Sequence, residues 1–141
     1  MDVLNNTAVF MQKLGHEERE AYVWWGGVKT DDGSADIRTA YFADFVSSYG
    51  RVHLGTAELS SLHKRLRANG EVLLAELHTH PPGANGQNNV DARNPALTQE
   101  GFLTIVVPDF GLPDFHLLWR THVYRYIKNY HWAELTSADV A

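Results

Sequence analysis

The residues best equipped for chemistry are Glu76-Leu77-His78-Thr79-His80-Pro81 and, further on, Asp91. On a strand, residues two apart point to the same side. His78 and His80 would therefore present two imidazoles from one face at a strand's end. Pro81-Pro82 stops strand pairing there, and the loop with Gly83, Asn85, Gly86, Asn88 and Asn89 is long enough to bring Asp91 back. Two neutral imidazoles and one carboxylate form a three-ligand set suited to zinc, with a fourth position left for water, as in catalytic rather than structural sites. The plain alternative is a pair of strand-end histidines with Asp91 as a loop cap; the proline, the Gly/Asn loop and the position of Asp91 weigh against it. Such a site also needs a base. By spacing alone Glu76 shares the face of the two histidines and is one candidate; it could instead orient a histidine as a hydrogen-bond acceptor behind the ligands.

The elements that must hold these residues are legible from hydrophobic period and chain breakers. Residues 71–80 read as a buried strand, because Val72, Leu73, Leu74 and Ala75 form a continuous apolar stretch. After the loop, Asn94-Pro95 reads as the cap and first position of a short helix reaching residue 100. Upstream, residues 3–14 carry apolar side chains at helical spacing and stop at Gly15. Residues 20–29 are rich in aromatic and β-branched types and predict a strand. Asp31-Asp32-Gly33-Ser34 is a turn, with an antiparallel return over 35–46. Adjacent Trp24 and Trp25 should face opposite sides of that strand, one into a core and one under a covering helix. Thr56 can cap a helix with Leu59, Leu62 and Leu66 on one stripe, ended by Asn69-Gly70. A further strand is expected over 102–107, one or two more over 115–120 and 122–127, and a last helix near Thr136. This order predicts an α+β fold, a mixed sheet flanked by helices, as a single domain over 1–141.

Composition narrows the classes. At 141 residues the chain is too short for a (β/α)₈ barrel of about 250 residues. With 44% hydrophobic and 21% charged residues, near globular averages, the composition argues against wholesale disorder. There is no cysteine, so disulfide scaffolds, thiolate zinc sites, iron–sulfur clusters and a cysteine nucleophile are excluded together, and any transition metal must be held by His, Asp or Glu. Twelve basic against 17 acidic residues give a net charge of −5, which argues against nucleic acid as the principal partner. The basic and aromatic run from Arg120 to Trp132 reads as a strand pair with one solvated face rather than a surface for single-stranded nucleic acid. No apolar run nears the roughly 20 residues that span a bilayer, so no membrane partner is expected. The first 13 residues lack the order of a signal peptide, giving a cytoplasmic expectation. His16, His53, His63, His116, His122 and His131 lack mutual ligand spacing and read as surface or capped residues.

With these residues in view, the chain resembles the JAMM/MPN+ (JAB-domain) metalloprotease family, as a compact prokaryotic-type member. That family's pattern is an upstream Glu, then His-Ser/Thr-His-Pro, six residues, Ser, two residues and Asp. His78-Thr79-His80-Pro81 matches it outright, Asp91 has the required spacing, and Glu20-Ala21-Tyr22-Val23-Trp24-Trp25-Gly26-Gly27 looks like the family's Glu followed by a hydrophobic strand ending in Gly. The likeness spans roughly residues 15–135. The sequence departs from the pattern twice. Asn88 stands in the place of the Ser, and Asn94-Pro95 interrupts the stretch where the family continues a helix.

The resemblance implies a JAB/MPN-like, cytidine-deaminase-like architecture. It also implies one zinc ion held by His78, His80 and Asp91, with Glu20 as the base that activates the metal-bound water. Zinc lowers the pKa of bound water from 15.7 to about 7. The family's Ser donates a hydrogen bond to the tetrahedral intermediate, and the side-chain N–H groups of Asn88 could supply the same bond. Glu17 and Glu18 lie close to Glu20 in sequence, so the choice of Glu20 comes from the resemblance. The implied activity is isopeptidase or peptidase cleavage at the C-terminus of a ubiquitin-like or sulfur-carrier-like protein. Activating or conjugating enzymes of the same pathway would be further partners. The alternative is a protein-binding module of the same fold with weak or no turnover. A metallo-β-lactamase-type hydrolase would want an Asp and a further His where Pro81-Pro82-Gly83 stands.

Overall fold

The computed structural model describes residues 2–42, 56–84, 86–111 and 121–135. It contains helix α1 (Val3–Gly15), strands β1 (Tyr22–Lys29) and β2 (Ala35–Phe42), helix α2 (Thr56–Ala68), strand β3 (Val72–Thr79), short helix α3 (Asn89–Arg93), and strands β4 (Leu103–Val107), β5 (His122–Lys128) and β6 (His131–Leu135). A single 3₁₀ turn, Asp109–Gly111, follows β4. The strands form one six-stranded sheet in the order β2-β1-β3-β4-β5-β6. Among the described strands, β3 and β4 pair in parallel and the other neighbours are antiparallel. The α+β expectation of a mixed sheet with helices therefore holds.

Alternation along β1 divides the interior into two layers. Val23 and Trp25 face α1 and join Ala8, Met11, Ala75, Leu77, Ile105 and Val123. The Trp25 indole donates to Thr7 Oγ1 in α1 at 2.9 Å. Tyr22 and Trp24 face the other way and pack with Leu62 and Leu66 of α2, together with Tyr41, Phe102 and Tyr126. Gly26 and Gly27 sit where the pairing of β1 shifts register. A Cβ on Gly27 would strike the Asp36 carbonyl, and one on Gly26 would strike Leu66. The close approach of β2 and α2 thus requires glycine at both positions.

Parallel neighbours cannot be joined by a tight turn and need a crossover. The β3–β4 crossover, residues 80–102, carries α3 and Asp91. Here one expectation fails. The short helix is Asn89–Arg93, with Asn88 as its N-cap and Asn94 as its C-cap, and residues 95–99 are not helical. Proline disfavours α geometry in the residue before it. Asn94 accordingly leaves the helix at φ −128° and ψ 50°, and its side-chain amide donates to the Val90 carbonyl at 2.8 Å. Pro95 ends a helix rather than starting one. The closing hairpin β5–β6 turns through Asn129 and Tyr130, at φ 51° and 61°, the paired positive angles of a type I′ turn. The expected strand over 115–120, the last helix near Thr136 and the far end of the strand over 35–46 lie outside the described residues.

Candidate metal centre

His78 and His80 stand at the C-terminal end of β3, on the face that α2 covers, beside the parallel partner β4. In open sheets that end of a parallel pair is where crossovers leave a crevice. Both histidines are buried. Their Nε2 atoms lie 3.1 Å apart, and Asp91 Oδ2 is 3.4 Å from Nε2 of His78 and 3.2 Å from Nε2 of His80. Among the described residues, His78, His80 and Asp91 are the group whose ligand atoms converge closely enough to hold a metal. Ligands at 2.0–2.2 Å from a tetrahedral centre lie about 3.3–3.6 Å from one another, so the triangle is close to the size that zinc requires. Hydrogen bonding alone fits it less well, because one Nε2–H can point at only one of two neighbours. A central cation satisfies all three lone pairs at once, and the donor set fits a divalent metal.

Each ligand is set by a separate device. Tyr22, the cross-strand neighbour of His78, stacks on its ring with centroids 5.0 Å apart and planes 12° from parallel. Burial first, then the negative charges of Glu76, Asp91 and Glu20, hold the Tyr22 phenol well above the usual tyrosine range. His80 lies one residue beyond β3, yet its backbone is held on both sides. Its N–H donates to the Val107 carbonyl at 2.9 Å, and its carbonyl accepts from Phe110 N–H at 2.8 Å. The second bond comes from the 3₁₀ turn, where Asp109 and Phe110 both adopt φ 55°. A positive φ is unfavourable for so bulky a residue as Phe, and here the strain is spent next to a site ligand.

Asp91 is placed by the N-terminus of α3. Asn88 Oδ1 accepts Asp91 N–H at 2.8 Å, and Asp91 Oδ2 accepts Asn88 N–H at 2.9 Å, a reciprocal capping box. Burial opposes the Asp91 charge, but His78, His80 and the Asn88 amide outweigh it and hold the carboxyl well below the ordinary range. Asn88, expected as a donor to the substrate, has its side-chain oxygen engaged as this cap; the amide nitrogen is the end able to donate.

Glu20 lies just before β1, and its position follows from Thr79, the residue between the two histidines. Ala21 N–H donates to Thr79 Oγ1 at 2.8 Å, and Thr79 N–H donates to the Ala21 carbonyl at 3.1 Å. This clip brings Glu20 beside the cluster. Burial raises its pKa, His80 and His78 pull it down, and Asp91 raises it. Glu76, the competing base, is fully buried on the same face, but its oxygens go elsewhere. One accepts from Ala96 N–H at 3.1 Å, and the other is 3.4 Å from the Thr104 hydroxyl. Neither imidazole takes an acceptor from it, and both Nδ1 atoms are buried without a hydrogen bond. Burial pushes the Glu76 carboxyl up to about 8, with the Ala96 amide and Thr104 acting against the rise. Thr79, Tyr22 and the turn after β4 were not singled out from sequence. Only the threonine within His-Thr-His carried a signal, because its side chain must face away from the two ligands.

The chain is 30% identical over 142 residues to a protein of Sinorhizobium fredii named probable metalloprotease y4jG, a match covering 97% of this chain and 85% of that one. The chain belongs to that metalloprotease family. Membership accords with a hydrolase that uses a metal, and the His78–His80–Asp91 triangle is where this family member can hold one. No protein-family model matches the chain. Two solution structures share the fold. Protein DSY2949 of Desulfitobacterium hafniense has a TM-score of 0.62 at 17% identity, over 95% of this chain and 86% of that one. A Salinibacter ruber protein has 0.61 at 15% identity, over 93% and 85%. No helix among the described residues of this metalloprotease relative is long and apolar enough to cross a membrane.

Proposed function

We propose that the chain is a zinc-dependent isopeptidase or peptidase of the JAMM/MPN+ type, cutting at the C-terminus of a ubiquitin-like or sulfur-carrier-like protein. The observation that carries this reading is the convergence of His78 Nε2, His80 Nε2 and Asp91 Oδ2, 3.1–3.4 Å from one another, with Glu20 beside them. A relative named as a probable metalloprotease supports it. Zinc in that position would supply a Lewis acid for the scissile carbonyl and make a water acidic enough to ionise near neutral pH.

The protein's own groups supply the rest. Glu20 takes a proton and later returns it to the departing amine, and its raised pKa brings the carboxyl nearer the pH at which it must both accept and release. Asn88, with Oδ1 fixed by the Asp91 amide, has Nδ2 available to donate to developing negative charge. An extended substrate tail fits beside an edge strand, where backbone pairing gives affinity; β2 and β6 are the sheet's edges.

Metal analysis together with hydrolysis of a ubiquitin-like tail fusion tests the reading. Wild type should hold one zinc per chain and lose turnover to a chelator. Glu20→Gln should keep the metal and lose about 10²–10⁴ in rate. Asn88→Ser should stay active, while Asn88→Ala drops by roughly 10²–10³; equal rates in all three would remove Asn88 from the chemistry. Zinc without cleavage would favour the binding-module alternative, and absence of metal from wild type would overturn the metallopeptidase reading.

A further inference from the structure

The segment that carries Asp91 has little apolar surface to hold it in place. No residue of α3 is buried, and Val90 is 57% exposed. Two hydrogen bonds from the edge hairpin fasten it instead. The Tyr124 hydroxyl accepts Gln87 N–H at 3.0 Å, and the Trp132 indole N–H donates to the Ala92 carbonyl at 2.9 Å. These bonds bracket the Asn88–Asp91 capping box, one just before it and one just after. Gly86 is buried at φ 69°, and a Cβ there would run into the Tyr124 hydroxyl, so the chain is drawn against that ring. The anchors themselves stand on regular strands. Tyr124 is in register with Thr104 of β4 and Glu134 of β6, and Trp132 packs edge-on against buried Tyr126 at 5.0 Å and 87°.

We propose that Tyr124 and Trp132 are positioning residues for Asp91: the hydroxyl and the indole N–H pin the turn from Gln87 to Ala92 on the sheet and thereby hold the Asp91 carboxylate against His78 and His80. This rests on the reading of Asp91 as a metal ligand. His78 and His80 are fixed by the sheet, whereas Asp91 reaches them from a crossover. If the anchors are cut, the segment spends only part of its time in the ligating arrangement, and apparent metal affinity falls by that fraction. Partners behind metal ligands typically contribute about 10–100-fold in affinity.

The test compares Tyr124→Phe, which removes only the hydroxyl, and Trp132→Phe, which removes the N–H but keeps a ring against Tyr126. Trp25→Phe is the control, since it cuts an equivalent indole bond to Thr7 on the opposite face. Amide hydrogen exchange over residues 86–93 is followed in the metal-free proteins, and Zn²⁺ and Co²⁺ affinities are titrated. The two hairpin variants should exchange faster at Asp91 and Ala92 and bind metal about 10–100-fold more weakly. At saturation they should give the wild-type Co²⁺ absorption spectrum, since the ligands are unchanged. Trp25→Phe should lower Tm and leave affinity alone. Unchanged exchange overturns the clamp. Faster exchange with wild-type affinity makes the two bonds a structural tether only and overturns the positioning role. Failure of wild type to bind either metal overturns the ligand reading of Asp91 and this proposal with it; that failure is seen before any variant is compared.

Discussion

Two partly buried polar clusters lie on the α2-covered face at opposite ends of β3, and they are built on opposite rules. At the N-terminal end, Glu71 accepts from Thr39 Oγ1 at 2.8 Å and from the Tyr41 hydroxyl, which itself accepts from Asn69 Nδ2 at 2.8 Å, while the Arg65 guanidinium lies 5.3 Å above the Tyr41 ring. Every bond joins a donor to an acceptor, so the cluster is closed. At the C-terminal end, two imidazole nitrogens and a carboxylate oxygen are turned toward one another at 3.1–3.4 Å. Lone pairs gathered this way are costly to bury unless a cation sits among them. One end stabilises the fold with what the chain contains; the other is arranged so that it can hold a metal ion.

The most forceful way to break this contrast is to ask each end about metal. A ligand that binds only the folded state at 1,000 times its Kd adds about 4 kcal/mol of stability. Saturating Zn²⁺ should therefore raise the Tm of wild type, and EDTA should reverse the rise. His78→Ala and His80→Ala should abolish it, as read by thermal unfolding with and without metal. A full Zn²⁺-dependent rise in both variants would mean that the convergent triangle is not where the ion binds.

A smaller effect sharpens the comparison at Glu76, which lies between the two clusters. Its carboxyl is pushed up to about 8 by burial from an ordinary 4.5. Between those two values the folded chain keeps a proton that the unfolded chain has released. The metal-free protein should lose stability as pH rises from about 4.5 to 8, by on the order of a few kcal/mol, and level off above that. Glu76→Gln mimics the protonated acid and should flatten this slope in urea unfolding at a series of pH values. An unchanged slope would show that the Glu76 proton is not carried through the folded state.

How much of this was readable in advance divides along the same lines. The strand ends, the opposed facing of Trp24 and Trp25, and the His-x-His pair depend on local period, which a sequence displays directly. The site triangle was reachable because proline and glycine punctuation left few places for Asp91 to go. The helix at Asn94-Pro95 was misread because a proline is compatible both with a helix start and with a helix stop. The competition was decided by the Asn88–Asp91 capping box one turn earlier and by Glu76 catching the Ala96 amide. The Thr79–Ala21 clip, the Tyr22 stack and the left-handed turn at Phe110 were not legible at all. Each depends on which strands become neighbours, and no spacing within a single segment encodes that.

The closed cluster offers the gentlest test and the one that most directly sets the two ends apart. Tyr41→Phe removes a hydroxyl that donates to Glu71 and accepts from Asn69, at a residue only 4% exposed. Exposed Asn69 can turn to water, but water has little access to the buried Glu71 oxygen, and leaving that oxygen without its donor should cost about 1–3 kcal/mol in unfolding free energy. Thr39→Ala withdraws the donor to the other Glu71 oxygen, and the pair of substitutions should be non-additive by at least ~0.5 kcal/mol, because both act on one carboxylate. Through all of this, zinc affinity should stay at the wild-type value. A metal affinity that moved with Tyr41→Phe would show that the hydroxyl network at one end of β3 is coupled to the imidazoles at the other, and the division between a finished cluster and an open one would have to be abandoned.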